Sequence, residues 1–153
     1  TDSLLVGKEP NSMVLDAAGK LWVLCSGGFM AEEFPTLHRI NPQSLETEAV
    51  FTFPDIQTSP SSLCINGTGD TLYYLNQGVY RMPTSGNALP ESQFIGQNGR
   101  LFYTLGVGPR TSDILVSDAI DYQQRGAVLH YSSKGELMGT FNAGIIPGRF
   151  VFN

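Results

Sequence analysis

Three stretches of this chain can be laid on one another: PNSMVLDAAGKLWVL from Pro10, PSSLCINGTGDTLYYL from Pro60 and FYTLGVGPRTSDILVS from Phe102. Each carries an apolar residue three places in (Met13, Leu63, Leu105) and another two later (Leu15, Ile65, Val107). A polar or glycine-containing turn follows, then three apolar positions: Leu21-Trp22-Val23, Leu72-Tyr73-Tyr74 and Ile114-Leu115-Val116. A period-two run, a tight turn and a second run spell a β-hairpin. A second phrase follows each first one: TLHRINPQSLETEAVFTF, GVYRMPTSGNALPESQFIG and AVLHYSSKGELMGTFNAG. Each reads as a strand, a turn rich in Pro, Ser and Gly, and a fourth strand.

The repeating unit is therefore four antiparallel strands, A to D, and its starts at residues 10, 60, 102 and 147 are 50, 42 and 45 residues apart. Four short strands at this spacing mark an all-β fold of β-propeller blades. A single four-stranded blade cannot cover both of its own faces, so blades stack around an axis. That explains why consecutive strand residues such as Leu21, Trp22 and Val23 are all apolar. It also explains small residues where inner strands converge, at Gly106, Gly108 and Gly148. The spacing predicts three complete blades, at 10–53, 60–96 and 102–143. An orphan strand stands at each end: 1–8 as the tail of a preceding D strand, and 145–153 as an A strand without its B, C and D. Closed rings have roughly 4–8 blades, so these blades and two orphan strands do not close one.

Composition agrees. Charged residues make up only 15% of the chain, against 17 Gly and 9 Pro, which suits turns and strands better than helices. The formal net charge of −5 and the lack of a basic stripe make nucleic acid a poor partner. No apolar run approaches the ~20 residues of a membrane-spanning helix. The chain opens on TDSLLVGKEP, with neither an initiator Met nor a signal-peptide pattern, as a mature or trimmed product does. Cys25 and Cys64 both sit in apolar runs and read as free, buried thiols.

The blade phrases VGKEPNSMVLDAAGKLWVLCSGG, LHRINPQSLE, SPSSLCINGTGDTLYYLNQGVYRM and DILVSDAIDYQQRGAVLHYSSKGEL resemble those of YncE-like, surface-layer-type propellers, found as secreted lipoproteins of gut anaerobes. The resemblance covers essentially the whole chain. It implies a seven-bladed ring about twice this length, of which this chain is the C-terminal half, with residues 145–153 completing the first blade. It implies an extracellular, cell-surface location, with any membrane tether outside this chain. One branch of the family resembles a corrinoid-capturing protein that hands vitamin B12 to a transporter. The others are surface-layer proteins without an assigned ligand.

In such a fold, chemistry belongs to the loops of one face and to the mouth of the axis. Three segments qualify. The B–C loop of the first blade, residues 25–36, sets Phe29, Met30 and Phe34 beside Glu32 and Glu33, either as a contact surface or as a cluster folded back on the blade edge. The B–C loop of the third blade, SDAIDYQQRG (117–126), offers Asp118, Asp121, Tyr122, Gln123, Gln124 and Arg125, a dense set of hydrogen-bonding groups for a polar ligand. Asp118 and Asp121 alone lack the oxygen count and spacing of a Ca²⁺ loop, so no metal is expected. The D–A segment 96–104 brings Gln97, Asn98, Arg100 and Tyr103 to an inner strand. His38 and His130 lie in C strands and read as structural; Asp16, Asn66, Gly69 and Ser112 read as turn formers. No GxSxG, HExxH or P-loop appears.

These residues favour a non-catalytic, cofactor-free ligand-binding propeller for a small molecule or glycan. The alternatives are an interaction scaffold of the cell envelope, with the 25–36 loop as its handle, and a propeller enzyme of lactonase or lyase type. Open blade faces at both ends predict pairing with a missing half or a second copy.

Overall fold

The computed structural model describes residues 3–152. It contains eleven strands: β1 (Pro10–Leu15), β2 (Leu21–Cys25), β3 (Thr36–Asn41), β4 (Glu46–Thr52), β5 (Ser61–Ile65), β6 (Thr71–Asn76), β7 (Gly78–Pro83), β8 (Phe102–Val107), β9 (Ile114–Asp118), β10 (Ala127–Tyr131) and β11 (Leu137–Asn142). They form three antiparallel meanders in sequence order: β1 to β4, β5 to β7, and β8 to β11. Among the described residues there is no helix.

The middle sheet has three strands where four are expected. Segment 84–95 runs as turns, and its only ladder contact is the bridge of Ile95 to Val79. Pro90 supplies no N–H and Gly86 closes a turn onto Pro83, which breaks this stretch as a continuous edge strand. Ile95 still reaches the core, 5% exposed, and fills the place of the missing strand's apolar side chain.

The two terminal segments are not strands either. Residues 3–6 have no ladder, although Leu4 and Val6 pack on Val23, Cys25 and Ile40. Residues 145–152 also have no ladder. Phe150 instead crosses β8 at Gly106, where a Cβ would come within 2.9 Å of its side chain. Residues 1, 2 and 153, at the outer ends of the two expected orphan strands, lie outside the described residues.

Packing follows the period of two. On β6, Leu72 and Tyr74 join Trp22, Leu24, Leu37, Phe51 and Phe53 of the first sheet. Tyr73 and Leu75, pointing the other way, join Leu105, Ile114, Val116 and Leu129 of the third. Full burial of such side chains stabilises by about 1.5–3 kcal/mol each, and all four β6 residues are buried. The sheets also touch near the axis through their A–B turns. Ala17 N donates to Gly69 O at 2.9 Å, and a Cβ on Gly67 would lie 1.7 Å from Pro109 O. Only glycine fits there.

Asp16 shows how one turn is fixed to the core. Its Oδ1 accepts from the N–H groups of Ala18 and Lys20, both at 2.9 Å, and its Oδ2 accepts the indole N–H of Trp22 at 2.8 Å. Asn66 does the turn-forming part of this task in the second sheet, accepting from Asp70 N and Thr71 N at 3.1 Å. Both thiols are free: Cys25 is buried, and burial pushes the half-buried Cys64 up to about 12.

His38 sits on the open side of the first sheet. Its Nε2 accepts from Gly7 N at 3.3 Å and contacts Thr36 Oγ1 at 2.9 Å. The ring proton is thus on Nδ1, which is buried without a partner. Burial lowers the His38 pKa below its ordinary value. The folded chain therefore favours neutral imidazole: the stabilisation is complete above the ordinary histidine pKa of about 6.5 and is lost as pH falls through the lower folded value. Acidification from about pH 7.5 to pH 5 should lower the thermal midpoint, and His38→Gln should show a smaller drop by the same measurement, since Gln neither charges nor releases Gly7.

Candidate functional site

The inner strands β1, β5 and β8 all begin at the same end of the stack, the end from which the B–C loops leave β2 and β9; Pro10 pairs with Cys25 and Phe102 with Asp118. The D–A and B–C segments therefore share one face, as the repeat pattern requires.

On the first blade, Gly27 turns at φ +87° and Gly28 at φ +95°, which only glycine adopts without strain. This lifts residues 29–34 out of the sheet. Phe29 is 89% and Met30 75% exposed, and Phe34 is half-exposed. The aromatics do not fold back on the blade edge. Phe29 and Met30 line a cleft of about 460 Å³ with Ile56, Gln57, Thr58 and Ser59 of the next D–A loop. Glu32 is exposed at the loop's turn, its carboxylate over Gly28. Glu33, not singled out as a contact, receives Lys8 N at 3.4 Å.

The other predicted residues gather on the second and third blades, away from that cleft. Their organiser is Asp118, whose side chain is 6% exposed. Its Oδ2 pairs with Arg100 Nη1 at 3.1 Å; its Oδ1 accepts Leu101 N at 3.1 Å and Ile120 N at 3.0 Å. Expected as a ligand contact, Asp118 is buried as a clamp: its bonds to Arg100 and Leu101 tie the D–A segment to the B–C loop, and its bond to Ile120 N closes the loop's own turn. Asp121 is exposed, and its carboxylate is spent on its own turn. Gln123 N and Gln124 N donate to Oδ1 at 2.9 Å, and Gln124 Nε2 donates to Oδ2 at 3.0 Å. The backbone N–H groups of Gln124 and Gln123 hold its pKa below the ordinary carboxylate value. Among the described residues, no three His, Cys, Asp or Glu side chains stand together to hold a metal.

Above this clamp the surface is open. Tyr103 and Tyr122 meet edge to face, centroids 5.9 Å apart and planes at 82°, with both rings about half exposed. Arg100, Gln123 and Arg125 are exposed and Gln97 is half-buried. An exposed aromatic pair rimmed by amides and guanidinium groups can stack on a flat ligand and bond its polar rim.

Tyr103 also lines a second feature that the sequence reading missed, an axial groove of about 640 Å³ between the inner strands. Its other walls include Asn11, Ser12, Ser61, Ser62 and Thr104, with Arg149 from the C-terminal segment. A signal for it was present: a polar residue and a serine follow proline in both PNS and PSS, at one position of the repeat.

No protein-family model matches the chain, and no curated protein matches it. Solved structures do. The chain is similar to a quinonprotein alcohol dehydrogenase-like protein from Bacteroides thetaiotaomicron, with a TM-score of 0.68 and 17% identity over 90% of this chain and 34% of that one. It is similar to hydrazine synthase of Kuenenia stuttgartiensis, at TM-score 0.67 and 13% identity over 94% of this chain and 40% of that one. A third is the Dos1 propeller, at TM-score 0.55 and 13% identity over 88% of this chain and 37% of that one. At these identities the likeness is one of fold alone. With the three meanders stacked face to face, it defines the class: an all-β chain of β-propeller blades. The chain spans 34–40% of the length of these neighbours.

The clamp has a measurable consequence. Asp118→Ala leaves the N–H groups of Leu101 and Ile120 unpaired and should lower stability by about 1–3 kcal/mol in chemical denaturation. Arg100→Ala removes only the solvent-facing partner and should cost less than about 1 kcal/mol.

Proposed function

We propose that this chain belongs to a non-catalytic, ligand-binding propeller of the cell surface, of the YncE-like, surface-layer type, and that its most concrete task is corrinoid capture. The observation that supports this reading is the Tyr103–Tyr122 pair, held open by the Asp118 clamp and ringed by Gln97, Arg100, Gln123 and Arg125. A corrinoid is a broad, largely apolar disc with an amide rim. Tyrosine rings suit the disc; glutamine and arginine side chains suit the rim carbonyls. The blade-phrase resemblance supplies the cell-surface setting.

The end faces of the stack support a partner. Leu4, Val6, Met13, Leu21, Val23 and Ile40 line an apolar depression on the first sheet. On the third sheet, Leu115 and Phe152 line a depression that they share with Arg110, Asp113 and His130. Further blades, from a longer chain or a second copy, would cover both.

Calorimetric titration with cyanocobalamin tests the ligand. The expected result is saturable one-to-one binding that Tyr122→Ala weakens by about tenfold, the loss of one stacked ring and its desolvated contacts. No heat at micromolar protein and ligand contradicts corrinoid capture.

A further inference from the structure

The three inner strands share an irregularity. On β1 the register moves from Pro10↔Cys25 to Ser12↔Leu24; on β8 it moves from Phe102↔Asp118 to Thr104↔Ser117; on β5 it moves from Ser61↔Leu75 to Cys64↔Tyr73. Each shift inserts one extra residue into the inner strand near its start. A β-bulge leaves that residue out of the ladder and re-aims its side chain. The extra residue is Asn11 on β1 and Tyr103 on β8, and on β5 the insertion falls at Ser62-Leu63, where Ser62 has a left-handed φ of +57°. A serine held there inside a strand costs about 1 kcal/mol or more. All three bulges open into the axial groove.

The lining of that groove divides into a fixed part and an available part. Asn11 and Ser12 are fixed. Asn11 Nδ2 donates to Pro60 O at 2.8 Å, Ser12 Oγ donates to Asn11 Oδ1 at 2.7 Å, and Leu63 N donates to Ser12 Oγ at 3.0 Å. The first and last of these bonds cross from the first blade to the second, and the bond between Ser12 and Asn11 links them across the groove's wall. The hydroxyls of Ser61, Ser62, Tyr103 and Thr104 make no hydrogen bond within the described residues, and Arg149 has no ion pair there. Among the described residues, Arg149 is the one charged side chain on the wall, and no carboxylate side chain lines it. The rings of Tyr103 and Phe150 add apolar faces.

We infer that the axial groove is a binding site for a small polyhydroxylated ligand that carries one carboxylate, the chemistry of a sugar acid. Four hydroxyls exchange hydrogen bonds with ligand hydroxyls, because each both donates and accepts. Arg149 takes the carboxylate in a charge-assisted bond. The tyrosine and phenylalanine rings cover a sugar's apolar face. The groove is within the size of small-ligand sites, roughly 300–1,000 Å³. This site adjoins the loop-face reading and shares Tyr103 with it, but its distinguishing groups are Arg149 and the serines, and it uses neither Tyr122 nor Arg125.

The test is an amide ¹H–¹⁵N titration of the chain with D-glucuronate, with D-glucose and acetate as controls. Saturable millimolar binding is expected, with shifts centred on Ser61, Ser62 and Thr104. Glucose and acetate should each bind at least about tenfold more weakly, since each lacks one half of the recognition. Arg149→Gln should weaken glucuronate by about tenfold with the thermal midpoint unchanged, because the side chain is exposed. Tyr122→Ala, which weakens cobalamin binding, should leave the Arg149-dependent binding of glucuronate in place, since Tyr122 does not line the groove. Shifts that do not saturate, equal affinity for glucose, or an unaffected Arg149→Gln variant would overturn the assignment.

Discussion

The structure depends on β6 being buried on both sides. Leu72 and Tyr74 face one neighbouring sheet, and Tyr73 and Leu75 face the other. A meander of this size cannot cover its own two faces, so the middle sheet acquires its stability from being sandwiched. Aromatic contacts strengthen the first interface: Phe53 meets Tyr74 edge to face at 5.5 Å, and on the first sheet's own face Trp22 stacks on Phe51 at 5.9 Å. Remove that sandwich and each remaining sheet keeps one apolar face in water, as the outer sheets already do at the two ends of this chain.

The loops inherit their precision from this packing. Three sheets fixed face to face bring the starts of three inner strands together at the axis, and the glycine contacts of Gly67 and Gly69 set how closely the turns approach. The bulges then convert convergence into a groove. Asp118 performs the corresponding task at the rim, with one buried carboxylate securing two loops. The groove is not available to a single blade. A propeller places its binding groups where separate units meet, and the groups on each unit are unremarkable alone.

Much of the fold was legible in the repeat. The A, B and C strands of all three blades, the turns at Asp16 and Asn66, and the free thiols follow from period-two runs and turn chemistry. The fourth strand of the middle blade did not form, because apolar Phe94 and Ile95 were read as a strand when the proline-broken stretch before them leaves only a bridge. The candidate site was legible as segments and not as roles. Asp118 looks like a ligand group because sequence shows residue type, whereas burial and its bonds to Arg100, Leu101 and Ile120 decide its use. Asn11, Ser12 and Arg149 escaped notice because a bulge is a property of pairing, and pairing is set by the partner strand. His38 was read as structural, and its bond to Gly7 shows what it secures.

The central claim, that the middle sheet is held by both neighbours, is tested most directly by native-state hydrogen exchange. The slowest-exchanging amides should be those of β6, with β2 and β9 next, while the outer β4 and β11 exchange through local opening at much lower free energy. Protection of β4 or β11 equal to or greater than that of β6 would contradict the account.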